Sequence, residues 1–198
     1  MAKRRIPEVL TPTEQKALLA QPNPRYPTGE RNRVLLQVML DTGLRLSEAI
    51  HLKWRHVNLM TGQLLVREGK GHKDRVLWLG EPDLEALRHW RERQAQVVGH
   101  APEWVFTTLE GKPLQPRYVQ AMVERYAKRA GIQKRVTPHT LRHTFASDLL
   151  RAVKNIRIVQ EALGHSDLST TQVYTHIVNE DLEAALKSFR RPAAVAVP

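Results

Sequence analysis

Apolar residues at Val34, Leu35, Val38 and Met39 recur at the three- and four-residue spacing of one helix face, which predicts a helix from about residue 30. Gly43 suits its end, because glycine tolerates the left-handed backbone that closes a helix. Arg45-Leu46-Ser47-Glu48 opens the next helix. Upstream, Thr11 fits an N-cap, Pro12 the first helical position and Glu14 the returning half of a capping box. Gln21-Pro22-Asn23-Pro24-Arg25-Tyr26-Pro27 reads as a loop. Near Leu64 the period becomes alternating. Leu64 and Val66, the polar stretch Gly69-Lys70-Gly71-His72-Lys73-Asp74, then Val76, Trp78 and Leu79 predict two strands joined by a turn. Trp104-Val105-Phe106-Thr107 predicts a third strand.

Helical patterns return over 82–97 and 117–130. Thr137-Pro138 repeats the cap-plus-proline start for a helix through about Leu150, and Asn155 caps a short helix closed by Gly164. Ser169 and Gln172 fit another capping box, which places Tyr174 in the first turns of a further helix. Over 181–189, Leu182, Ala185, Leu186 and Phe189 share one face of a short amphipathic helix. The expected fold is mainly α with a small antiparallel three-stranded β-sheet. It divides into a basic arm at 1–10, one domain at 11–189 and a loose tail at 190–198.

Charge narrows the choice of partner. The 31 Lys and Arg against 20 Asp and Glu leave a net charge of +11 in 198 residues, which suits a polyanion. There is no cysteine, so disulfides, thiol nucleophiles and Cys-ligated zinc are excluded. No apolar run approaches the roughly 20 residues that span a bilayer, and the basic N-terminus lacks the apolar core of a secretory signal. A cytoplasmic, nucleoid-associated protein is expected.

Arg45, Lys70, His139, Arg142, His165 and Tyr174 supply guanidiniums, an ammonium, imidazoles and a phenol. Cleaving a phosphodiester with a side-chain oxygen needs an in-line nucleophile, cations on the non-bridging oxygens and an acid for the departing oxygen. His139, Arg142 and His143 fall at i, i+3 and i+4, on one face of a helix and near its anion-favouring N-terminus. His139-x-x-x-His143 has metal-ligand spacing, but Thr140 stands where a zinc protease carries Glu, and Arg142 would repel a cation. Each group alone has a plainer reading: a solvated helix face, a surface Arg45–Glu48 pair, an exposed turn lysine at Lys70, a packing tyrosine at Tyr174.

Together and in this order they resemble the tyrosine recombinases of the phage-integrase family. Thr42-Gly43-Leu44-Arg45-Leu46-Ser47-Glu48 resembles the family's first-arginine motif, and Gly69 to Arg75 its β-hairpin lysine motif. His139-x-x-Arg142, Leu163-Gly164-His165-Ser166 and Thr171 to His176 resemble the remaining ones, with Tyr174 nine positions after His165. The resemblance covers roughly 8–189.

It implies a site-specific recombinase that cleaves and rejoins DNA through a 3′-phosphotyrosine, for integration, excision or inversion, without metal or cofactor. Tyr174 is then the nucleophile, Arg45 and Arg142 hold the scissile phosphate, and His139 and His165 bond it or move protons. Lys70 protonates the 5′-oxygen, Glu48 orients the Arg45 region and His143 supports the site. Charge and position alone nominate Lys73, Arg75, Arg117, Lys134 and Arg135 as DNA contacts.

Only about ten residues precede the catalytic region. Two expectations stand equally: a catalytic-domain-only form without the family's usual N-terminal clamp domain, similar to the short recombinases that invert promoter segments in fimbrial switching, or a fragment of a longer integrase. In the first form, Lys3, Arg4 and Arg5 would compensate by contacting phosphates. The implied partners are double-stranded DNA, three further copies in a homotetramer on paired sites (monomer or dimer when free), and a DNA-bending accessory protein. In the family, neighbouring subunits exchange a C-terminal helix, and 181–189 either plays that part or packs on its own domain. The competing reading is a non-catalytic, DNA-binding regulatory or architectural protein derived from this family.

Overall fold

The computed structural model describes residues 8–67 and 74–164. The arm at 1–7, the turn holding Lys70 and Lys73, and all positions from His165 onward lie outside them. Tyr174, the capping box at Ser169 and Gln172, and the expected helix at 181–189 belong to that last group.

Helix α1 spans Pro12–Leu19 and starts as expected, with Glu14 N donating to Thr11 Oγ1 and Thr11 N donating to Glu14 Oε2. Helix α2, Pro27–Thr42, begins at the last proline of the expected loop. It ends at Gly43, whose φ of 62° is the left-handed cap. Helix α3 is short, Leu46–Ile50. A 3-10 turn at Trp54–His56 leads to strands β1, Gln63–Val66, and β2, Arg75–Trp78. These pair antiparallel, with Gln63 opposite Trp78 and Val66 opposite Arg75. Helices α4 (Glu81–Val98), α5 (Pro116–Arg129), α6 (Pro138–Val153) and α7 (Ile156–Leu163) complete the described chain. Among the described residues no helix is long and apolar enough to cross a membrane.

Helix α2 packs against both α4 and α6. Its apolar residues are buried on almost every side: Val34, Leu35, Leu36, Val38, Met39 and Leu40. Burying side chains of this kind contributes about 1.5–3 kcal/mol each. A smaller core of Ala146, Leu150, Val159 and Leu163 joins α7 to α6.

The sheet differs from expectation. Among the described residues it has two strands, not three. Residues 104–107 run as an irregular segment with isolated bridges to Lys53 and Pro113. Helix α4 answers part of its backbone hydrogen bonding instead. Trp90 Nε1 donates to the carbonyl of Val105 at 2.8 Å, and Gln94 Nε2 donates to the carbonyls of Trp104 and Val105. Val105 N donates to Leu52 O. The β-favouring composition of 104–107 is thus spent on a core anchor, with Phe106 fully buried.

Candidate active site

Arg142 lies in the second turn of α6 and points inward. Its guanidinium donates to Gly43 O at 2.6 Å and to Leu163 O at 2.7 Å. Both acceptors end helices, where unpaired carbonyls and the helix dipole favour a cation. One side chain therefore fastens the C-terminal ends of α2 and α7 to α6.

Arg45 is the residue just before α3, two positions beyond Gly43. Its backbone N donates to Glu48 Oε2 at 2.7 Å and its Nη1 to Glu48 Oε1 at 2.8 Å. Glu48 is also gripped by Arg75, through Nη1 at 3.0 Å and Nη2 at 2.8 Å. Arg75 Nε donates to Ala162 O at 2.9 Å. Burial opposes the charge on Glu48, yet the hydrogen bonds and charges of Arg75 and then Arg45 prevail and hold its pKa down to about 2. The pair read from sequence as a surface contact is thus a half-shielded node of three ions. Arg142 holds the end of α2 two residues before Arg45, and Arg75 and Arg142 both hold the last carbonyls of α7. Helix α7 closes at Gly164, φ 64°, the last described residue.

His139 is exposed in the first turn of α6 and His143 is half-buried one turn later. Burial, then His139 and Arg142, lower the His143 pKa from its ordinary value. Arg142 is buried rather than solvated, because its carbonyl partners draw its guanidinium into the interior. Among the described residues no group of three His, Asp or Glu is arranged to hold a metal ion.

Two clefts are lined in part by residues at the start of α3. One, about 480 Å³, is lined by Arg45, Ser47, His51, His56 and Arg67. The other, about 570 Å³, is lined by Leu46, Arg117, Gln120, Arg135 and His139.

The family model for the phage integrase family matches residues 8–181. The chain belongs to the phage integrase family. Tyrosine recombinase XerD of Staphylococcus aureus (strain Mu50 / ATCC 700699) is 39% identical over 188 residues, which cover 94% of this chain and 63% of that protein. XerD of Staphylococcus saprophyticus shows the same identity and coverage. The crystal structure of XerA recombinase superposes with a TM-score of 0.80 at 31% identity, over 96% of this chain and 68% of that one. XerH site-specific recombinase bound to difH substrate in a pre-cleavage complex gives 0.78 at 30% identity, over 94% and 55%. The chain therefore spans less than two thirds of the length of the XerD relatives it matches.

Within this phage-integrase fold, Arg45 pairs with Glu48, Arg142 holds the carbonyl of Gly43 two residues before Arg45, His143 lies near Arg142 on α6, and His139 lines the second cleft. Arg117 and Arg135 are exposed and share that cleft. Two positions expected to contact DNA are spent differently. Arg75 is buried, because the alternation of β2 turns it inward with Leu77, and it holds Glu48. Lys134 donates to Val9 O at 2.6 Å and pairs with Glu14 at 2.8 Å, tying the start of the chain to the segment before α6. Sequence reasoning passed over His51, His56 and Arg67, which line the Arg45 cleft. The hint available was their basic type on either side of a predicted strand. Lys70, Lys73, His165 and Tyr174 lie outside the described residues.

Proposed function

We propose that this chain cleaves and rejoins double-stranded DNA through Tyr174 as a tyrosine-type site-specific recombinase. The observation that carries the reading is that Arg142 is fixed on the carbonyl of Gly43, two residues before Arg45, while Arg45 is itself fixed on Glu48. Such a pair is preorganised for the charge that builds on a phosphorus centre under attack. The phenolic oxygen of Tyr174 bonds to phosphorus, and the bond from phosphorus to the 5′-oxygen breaks. Its electron pair leaves on that oxygen, which takes a proton from Lys70. The phenol proton passes to an imidazole, the part that the family resemblance gives to His139 or His165. Arg45 and Arg142 neutralise the non-bridging oxygens, a task that metal ions perform in other phosphoryl-transfer enzymes. The phosphotyrosine conserves the energy of the broken bond, so a 5′-hydroxyl can reverse the step without ATP. Recombination between two duplexes requires four active sites, and we assign this chain a homotetramer on paired sites.

The test is a covalent trap. The chain and its Tyr174→Phe variant are incubated with labelled, nicked duplexes from the gene's own neighbourhood, and products are run on denaturing gels. A protein–DNA adduct with the unsubstituted chain alone supports the reading. Sequence-specific binding with no adduct would favour a regulatory DNA-binding role instead.

A further inference from the structure

We propose that the cleft beside Arg45 is a second anion subsite, which holds a DNA phosphate neighbouring the one at Arg45 and Arg142. It rests on the DNA-cleaving reading above and adds to it residues that no catalytic role uses.

The cleft is built from three pieces of chain: α3, the 3-10 turn after it and β1. Its polar wall carries Ser47 and His51 from the first, His56 from the second and Arg67 from the end of the third. His51 is fixed in place. Its Nδ1 lies 2.8 Å from the carbonyl of Ser47, which can only accept, so Nδ1 carries the hydrogen. Its ring also meets Trp104 edge-on at 5.8 Å. His56 is surrounded by cations: burial and then Arg55, Arg67 and Lys53 lower its pKa, against a single opposing contribution from Asp74. Beyond burial, Arg55, Arg67 and Lys53 stand close enough to act on this imidazole, and their charge would draw a phosphate in.

Two of the acids nearby have cationic partners of their own, which leaves Asp74 as the opposing charge. Glu48, on the cleft wall, has both oxygens on Arg45 and Arg75. Glu103 pairs with Lys53 at 2.8 Å and lies 3.9 Å from Arg55. The volume, about 480 Å³, admits more than one phosphate group. Position completes the argument. Arg45 forms one side of the cleft, and Arg67 stands three residues before Lys70. Because Arg45, His56 and Arg67 line one cleft, a strand bound at Arg45 passes the other two.

The test measures affinity for a fluorescein-labelled random-sequence duplex by anisotropy across a salt series. The variants are Arg67→Gln, His56→Gln with Arg67→Gln, and Arg67→Lys. Losing one phosphate contact lowers the slope of log K against log salt by about 0.9. Arg67→Gln should show that loss, the double variant should bind more weakly still, and Arg67→Lys should restore the slope. Slopes equal to the parent's in all three variants would overturn the subsite, and adduct formation by the parent would then show that the cleavage reading survives. A parent that forms no adduct, while Arg67→Gln still loses slope, would sink the cleavage reading and keep the anion subsite.

Discussion

Arg142 donates to the carbonyl of Gly43 across 99 residues of chain, at 2.6 Å. Gly43 can present that carbonyl because it adopts φ 62° at the end of α2. A Cβ there would stand 2.3 Å from Cδ1 of Phe145. Gly43→Ala should therefore strain the backbone and displace an aromatic ring of α6, destabilising the fold by about 2 kcal/mol or more. Urea unfolding measures it, and adduct formation should fall with it because the Arg142 acceptor moves.

Arg142→Lys keeps the charge and removes the fork. A single ammonium cannot serve Gly43 O, Leu163 O and a phosphate with the same fixed geometry. Cleavage should slow by roughly 10²–10³-fold, the cost of losing one preorganised donor at an anionic transition state. Duplex binding should weaken far less.

Glu48→Gln leaves Arg45 and Arg75 together without their shared counter-charge. The expected loss is roughly 3 kcal/mol, since Arg75 and Glu48 are both well shielded. The pH dependence has a definite sign. The folded pKa of Glu48 is depressed to about 2 from an ordinary value of 4.5. Its contribution is fully present above about 4.5 and is lost as pH falls toward 2. The gap between parent and Glu48→Gln in denaturant titrations should stay constant down to that range and narrow below it.

Asp41 gives the opposite sign. Desolvation against α4 and the facing carboxyl of Asp83 raise its pKa to about 7, while Gln37 Nε2 donates to Asp83 at 2.9 Å. An acid with a raised folded pKa costs stability once its unfolded form ionises. The cost begins near 3.8, grows as pH rises and levels off above about 7. Asp41 lies at the exposed end of α2, where solvent screens the repulsion. Asp41→Asn should therefore stabilise the protein by about 1 kcal/mol at pH 8 and by little at pH 4.

Local chemistry was legible in the sequence. Thr11 with Glu14, Asn155, Gly43 and Gly164 cap the helices they were expected to cap. Each is a short-range rule in which side chain and backbone partner lie within a few residues. Long-range spending of polar groups was not legible. Arg75 reads as a surface cation beside a turn, and only the register of β2 places it inward on Glu48, 27 residues away. Residues 104–107 have strand-like composition, but Trp90 and Gln94 of α4 take carbonyls that a third strand would have paired. In the candidate site, the motifs named Arg45, Glu48, His139, Arg142 and His143. The flanking clefts needed the fold, because they join residues from separate elements.

The most direct test of the account is to map the covalent bond itself. The chain would be trapped on nicked duplex in the presence of a chelator, digested with nuclease and protease, and read by tandem mass spectrometry. The account predicts a nucleotide remnant linked through phosphate to Tyr174. A remnant on another side chain, or cleavage that stops when metal is removed, would contradict it.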